Sequence, residues 1–393
     1  MSYSSINRNK TVRSVIVVCG LVFVAFCFLF LWRMQGSIIS AGQYAFAHGQ
    51  TSYNPIIGAC ITTFLLVLLQ IGVQKMLHFT RQLYALSYLP SCVVLGFYTS
   101  FGPSIYSGLN FSWTWILMLV LLIVFCLLSK PIKRLAIFDF EEDDRNVEFW
   151  RQYGGNAIIL AVLFGITACI SNTNDEFHYD VNMQNYIVDG DMDAVLAEGS
   201  ESEVANHDIT AMRAFALSKK GELGERLFEY PQYYGSEGLL ISMADTTHLL
   251  FSPLVQYRHL GALPRREHRT AIQYLEALNR HPQQAKAPVK HYLMCAYLLD
   301  KDIESFVSEF VKHYDVSKNH KIPKHYAEAL LLYKYMQVDS VQVVYNDNEM
   351  ESNYSDYRML EKKYKNKTEL KNRCREDFGK TYWWYYQYGK KIE

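Results

Sequence analysis

The sequence predicts an all-α chain in two parts: a five-helix transmembrane bundle, then a stack of irregular helix–turn–helix units. Three observations predict it. Five uncharged apolar runs, at about 14–32, 55–74, 83–101, 113–129 and 154–171, fill most of the first 171 of 393 residues. Past residue 171, apolar residues recur with helical spacing and strand alternation is scarce. Four turns of one kind, centred on Gly190, Gly221, Gly261 and Lys301, punctuate that second part at intervals of 31, 40 and 40 residues.

Charge follows the same division. Residues 1–171 hold 11 Lys/Arg against 6 Asp/Glu, and residues 172–393 hold 28 against 33. A mildly acidic second half lacks the basic face that phosphates require, which argues against a nucleic-acid partner.

The leader, 1–13, carries Arg8, Lys10 and Arg13 and precedes the run 14–32, "SVIVVCGLVFVAFCFLFLW". A helix of that length rises about 28 Å, close to a hydrocarbon core of about 30 Å. The run exceeds a signal-peptide core, and "WRMQG" is a poor cleavage site, so an uncleaved first span is expected. In lipid each backbone amide needs an internal partner, so all five runs are expected as helices. Pro90 should kink the third. In the fifth, Ala157, Ala161, Gly165 and Cys169 form a small-residue stripe suited to packing against another helix of the bundle.

Orientation is read from basic loop residues. Arg8, Lys10, Arg13, Lys75, Arg81, Lys130, Lys133, Arg134, Arg145 and Arg151 fall on one side, and only Arg33 on the other. That places the N-terminus in the cytoplasm and residues 172–393 outside it. The runs hold no ionisable side chain of the kind that ion-coupled transport uses.

In the second part, "YIVDGDMDAVLA", "ALSKKGELGERLF", "YRHLGALPRREHRTAI" and "YLLDKDIESFVSEF" share a helix, a tight turn and a second helix. Gly suits a left-handed helix end, and an acid just after it suits the next helix start. Met192, Leu223, Leu263 and Ile303 are placed to staple each second helix onto its first. Units of 30 to 40 residues indicate an α-solenoid of the tetratricopeptide kind. "IPKHYAEALLLYKYM" (322–336) adds an amphipathic helix with Tyr326, Ala329, Leu330, Tyr333 and Met336 on one stripe, and 338–356 reads as a polar loop. "KTYWWYYQYGKK" (380–391) reads as the final helix, whose rings cap the stack, in preference to an interfacial anchor or a ligand cage.

The stretches "RQLYALSYLPSCVVLGF", "GELGERLFEYPQ", "IPKHYAEALLLY" and "GKTYWWYYQYG" resemble an uncharacterised family of bacterial inner-membrane proteins, in which a small transmembrane helical bundle precedes an extracytoplasmic helical-repeat tail. The resemblance implies a multi-pass protein of the cell envelope and carries no catalytic signature.

Residue chemistry is sparse. Six of the eight cysteines lie in the apolar runs, leaving Cys295 and Cys374. No Cys/His spacing points to a metal and no glycine-rich or nucleophile motif appears, so no catalytic, cofactor or metal residue is assigned. His313, His320 and His325 lie close in sequence and read as surface and capping residues; the acids of 139–145 read as a solvated loop. The expected role is a scaffold that binds a protein or peptide outside the cytoplasm, with His291, Tyr292, Arg265 and Arg266 as candidate contacts. The rival is an enzyme or transport component acting on an envelope lipid or glycan. Its candidate residues are Asn172, Asp175, Glu176 and His178, where the two parts join.

Overall fold

In a computed structural model, residues 3–47, 50–51, 53–103, 114–135, 153–243, 250–265, 270–315, 322–336 and 345–390 are described, and every regular element among them is helical. The chain divides into two compact units, Met1–Val181 and Asn182–Glu393. The division falls past the 171/172 boundary expected from the sequence.

In the first unit, α1 (Tyr3–Leu29) runs on through a π-helical turn, Phe30–Met34. Val15, Cys19, Phe23 and Cys27 recur every four residues and are all buried, while Leu21 on the other side is exposed. A short α2 (Gly36–Phe46) leads to α3 (Pro55–Leu77), which starts at Asn54, whose side chain accepts hydrogen bonds from the amides of Ile56 and Ile57. Ser14–Met34 and Pro55–Leu77 are long and apolar enough to cross a membrane.

The other three runs differ from expectation. Residues 83–101 are not one helix: a 3-10 segment, Arg81–Tyr88, precedes α4 (Leu89–Tyr98). Pro90 sits in the first turn of α4, where its missing N–H costs nothing, and the break lies earlier, at Leu83 (φ −112°, ψ 18°). In α5 (Thr114–Leu135) the apolar stretch is Trp115–Pro131. α6 (Gly155–Ile170) meets α7 (Asp175–Asp189) at 74°, and only as a pair do they add a third candidate crossing. Among the described residues, two or three spans therefore meet the length and apolarity that the sequence assigned to five.

The irregular backbone at 81–88 persists because α6 satisfies it. Asn156, 1% exposed, accepts the Ala85 amide at 2.7 Å and donates to the Arg81 carbonyl at 2.8 Å. Gln70 of α3 donates to Ser87 Oγ at 2.8 Å. Buried backbone without water needs such partners. Asn156→Leu is expected to strand one N–H and one C=O, costing about 3 kcal/mol; an unfolding midpoint in detergent equal to wild type would contradict this. The small-residue stripe of α6 is not the packed face. Ala157, Ala161, Gly165 and Cys169 are exposed, while Asn156, Leu160, Leu163 and Thr167 turn inward.

In the second unit three of the four expected tight turns join helix to helix, and the one at Gly261 does not. α7 and α8 (Met192–Ala197) meet at Gly190, α9 (His207–Lys220) and α10 (Leu223–Arg226) at Gly221. α11 (Pro253–Leu260) ends at Gly261 before α12 (Ala271–Asn279). α13 (Pro288–Leu299) and α14 (Ile303–His313) meet at Lys301. All four turn residues have positive φ, Lys301 included at 62°. Three share one pair of cap bonds: the turn residue's amide reaches three residues back, and the next amide reaches five back, from Asp191 to Tyr186, Glu222 to Leu217 and Asp302 to Tyr297. That is the Schellman pattern, which closes orphan carbonyls at a helix end. Asp191 and Asp302 then cap the next helix by accepting from Ala194 and Ser305 amides. Leu223 and Ile303 are buried staples, whereas Leu263 is 51% exposed.

The helices α12 through α14 pack in succession, followed by α15 (Lys324–Tyr335), α16 (Asn348–Lys363), α17 (Lys367–Phe378) and α18 (Tyr382–Tyr388). α16 corrects the later part of the loop expected at 338–356, since residues 348–356 are helical; 338–344 lie outside the described residues. Asp347 caps it by accepting from Glu349 and Met350 amides, and Tyr354 and Tyr357 are buried against Trp383.

Candidate functional site

The C-terminal aromatic stretch is clamped from beneath by α15. His325 and Glu328 are both buried, with His325 Nδ1 2.9 Å from Glu328 Oε2. The Phe228 amide donates to His325 Nε2 at 3.3 Å, so the ring proton sits on Nδ1 and faces the carboxyl. The same Glu328 oxygen accepts the Tyr382 amide at 2.7 Å, and the Glu328 carbonyl accepts Trp383 Nε1 at 2.9 Å. Thr381 caps α18 through the Trp384 amide. Tyr385 donates to the Leu299 carbonyl at 2.7 Å, and Lys301 Nζ closes the helix end on the Gly389 carbonyl at 2.8 Å.

Phe228 is the ring at the centre. It lies 5.0 Å from His325, 5.1 Å from Tyr382 and 4.9 Å from Tyr385. α10 reaches this position by passing close over Tyr326: a Cβ on Gly224 would stand 2.6 Å from that ring, so no larger residue fits without movement. Three of the four stretches that carry the family likeness, "GELGERLFEYPQ", "IPKHYAEALLLY" and "GKTYWWYYQYG", thus meet at one place.

Above this clamp lies a half-open groove of about 790 Å³, walled by 226–233 on one side, 371–390 on another and 200–203 at the rim. Phe228, Tyr230, Tyr233, Trp384, Tyr385 and Tyr388 supply its rings. Several hydroxyls are already committed: Tyr230 donates to the Leu196 carbonyl at 3.2 Å and Tyr233 to the Glu203 carbonyl at 3.2 Å. Arg226 is paired with Glu222 and Glu229. Arg375 pairs with Glu203 across the rim and lies 5.9 Å from the Trp384 ring. Lys371, Lys380 and Lys390 line the groove with no ion-pair partner among the described residues; Glu201 is the matching unpaired acid. The volume is that of a site for a small molecule or a short chain segment.

The residues picked from the sequence lie elsewhere. Tyr292 is 0% exposed, its hydroxyl accepting from Gln256 at 3.4 Å. His291 is half-buried and stacks on Tyr326, with Nδ1 3.3 Å from its hydroxyl. Burial first, then Lys290 and His313, pull its pKa down to about 4. Arg265 is exposed and outside the groove, and Arg266 lies outside the described residues. Cys295 is a free thiol raised to about 12 by burial, and Cys374 is also free. His313 pairs with Glu309, and His320 lies outside the described residues. Among the described residues no group of three His, Cys, Asp or Glu side chains converges as metal ligands.

In the first unit, Asn172 and His178 do come together, joined by Gln35 and Ser37, which sequence reading missed. The Asn172 carbonyl accepts Gln35 Nε2 at 3.1 Å and lies 3.1 Å from His178 Nε2; His178 Nδ1 is 3.3 Å from Ser37 Oγ. Asn172 also binds the Thr99 and Phe101 carbonyls. Asp175, exposed, and Glu176, half-buried, sit in the first turn of α7.

The groove itself joins segments more than 130 residues apart, which no local pattern could reveal. Its one sequence signal is the aromatic run at 382–388. A model of a family of unknown function, DUF6057, matches residues 97–286 and 265–389. Neither a curated protein nor a solved structure matches the chain.

Proposed function

The chain belongs to this family of unknown function, and from that premise we propose that it is a membrane-anchored envelope protein whose exported helical-repeat unit binds a protein or peptide segment in the groove against α18. The observation that carries the reading is the groove's lining of rings and unpaired lysines, with Lys371 on α17 and Trp384, Tyr385 and Tyr388 on α18. Rigid, pre-shaped sites bind with less ordering cost.

Several features support the finer parts of the reading. The succession of neighbour-packed helices with repeated Schellman turns supports an irregular tetratricopeptide-like solenoid. A five-crossing bundle gains support from length. Past the break at Leu83, the 3-10 residues 84–88 and the ten residues of α4 rise about 25 Å, which suits a short, broken span. The apolar stretch Trp115–Pro131 of α5 rises about 26 Å, the lower end of what a crossing needs. Five crossings with the basic loops inside put the second unit outside the cytoplasm of a bacterial inner membrane. The rival reading, an enzyme or transport component acting on a lipid or glycan near Asn172 and His178, has less in its favour, because those groups already bond within their own unit.

The test is to pan the full chain in nanodiscs against a displayed peptide library, with Phe228→Ser as counter-selection. Enriched peptides that lose binding to the variant are expected. Enrichment indifferent to the variant, or none, would sink the reading.

A further inference from the structure

We propose that the groove selects an acidic peptide segment and that Glu203 holds its place in the absence of a partner. The inference rests on the peptide-binding reading above and adds the partner's chemistry.

The charge around the groove is uncompensated. Arg226 is satisfied by Glu222 and Glu229. Lys371, Lys380 and Lys390 meet no carboxylate among the described residues, against the single unpaired Glu201. This excess sits in a half of the chain that is acidic as a whole, 28 Lys/Arg against 33 Asp/Glu. With Arg226, Lys371, Arg375, Lys380 and Lys390 against Glu201, Glu203 and Glu229, the lining has a cationic excess, and a concave surface with such an excess concentrates the opposite charge. Three such lysines therefore favour a ligand with several carboxylates.

A peptide fits the remaining chemistry better than an anionic saccharide. A sugar presents many hydroxyls and needs many neutral partners. Here Tyr230, Tyr233 and Tyr385 already direct their hydroxyls to backbone carbonyls of the protein. Beside the few neutral groups of Ser200, Ser202 and Gln232, the groove offers mainly ring surface and ammonium groups, which suit apolar side chains alternating with acids.

Glu203 is the internal stand-in. It comes from the rim segment and pairs with Arg375, and both side chains are largely exposed, 65% and 48%. An exposed pair of this kind contributes little to folding and exchanges readily. A carboxylate on the partner can take over the Arg375 guanidinium in bidentate fashion while the indole of Trp384 backs the cation. Removing Glu203 therefore opens a cationic position for the ligand.

The test uses fluorescence anisotropy with the full chain in nanodiscs of zwitterionic lipid and a labelled peptide alternating Glu with Leu and Phe. Its Gln-for-Glu twin is the control. The acidic peptide is expected to bind at least about ten-fold tighter than the twin and to weaken with salt. Lys371→Glu with Lys380→Glu should lower its affinity about ten-fold or more, and Glu203→Gln should raise it several-fold. Equal binding of both peptides overturns the acidic selection and leaves peptide binding standing. Binding of neither overturns both. A polyuronate that displaces the peptide at lower concentration overturns the peptide assignment in favour of an anionic saccharide. Glu203→Gln without gain, beside a loss in the lysine variant, overturns the stand-in role alone.

Discussion

Glu328→Ala is expected to detach α18 from α15 and to cost the second unit about 3–5 kcal/mol. The Glu328 carboxyl receives His325 Nδ1 and the Tyr382 amide, at 2.9 and 2.7 Å, where almost no solvent reaches. Alanine leaves both N–H groups buried without an acceptor, and a cavity besides. Tryptophan fluorescence reports the effect directly, since Trp383 donates to the Glu328 carbonyl and Trp384 is in the same helix. Denaturation should begin with a red-shifted, protease-sensitive C-terminus. A variant with wild-type midpoint and an equally protected α18 would show that the clamp holds nothing. Both donors meet the same Glu328 oxygen, so the amide oxygen of Glu328→Gln can take that position and accept both, and its loss should be smaller.

Lowering the pH from about 6.5 to about 4 is expected to remove on the order of 4 kcal/mol from the second unit through His259 and His291 together. Burial, with Lys219 and Lys286 nearby, depresses His259 to about 4. Burial, with Lys290 and His313, does the same to His291. A depressed folded pKa means that the unfolded chain takes up protons first. The contribution is therefore complete above the ordinary histidine value and disappears as the pH falls through the folded one. His207 acts oppositely: its hydrogen bond to Asp208 raises its pKa, so its contribution is present at low pH and lost as the pH rises. The double variant His259→Asn, His291→Asn should flatten the acid limb of stability against pH. An unchanged acid limb would contradict the assignment.

The two halves were not equally legible, for physical reasons. Helix ends in the second unit depend on local geometry that sequence displays. The spacing aligns Lys301 with Gly190 and Gly221, glycines expected at left-handed helix ends, and its φ is 62°. The break at Leu83 depends on Asn156, over seventy residues away, and hydropathy cannot see that hydrogen bond. α16 escaped notice because its buried stripe is little more than Tyr354 and Tyr357 in an otherwise polar segment. Tyr292 and His291, expected as partner contacts, belong to α13, which is buried along most of its length. The groove needed the third dimension altogether, although its aromatic floor was visible as "YWWYYQY".

The most direct measurement labels Lys380→Cys with a membrane-impermeant maleimide in intact spheroplasts, with and without the acidic peptide. The account predicts labelling from the outer side and a clear slowing when the peptide is present. Labelling only after the cytoplasmic face is opened, or at the same rate with peptide bound, would contradict it.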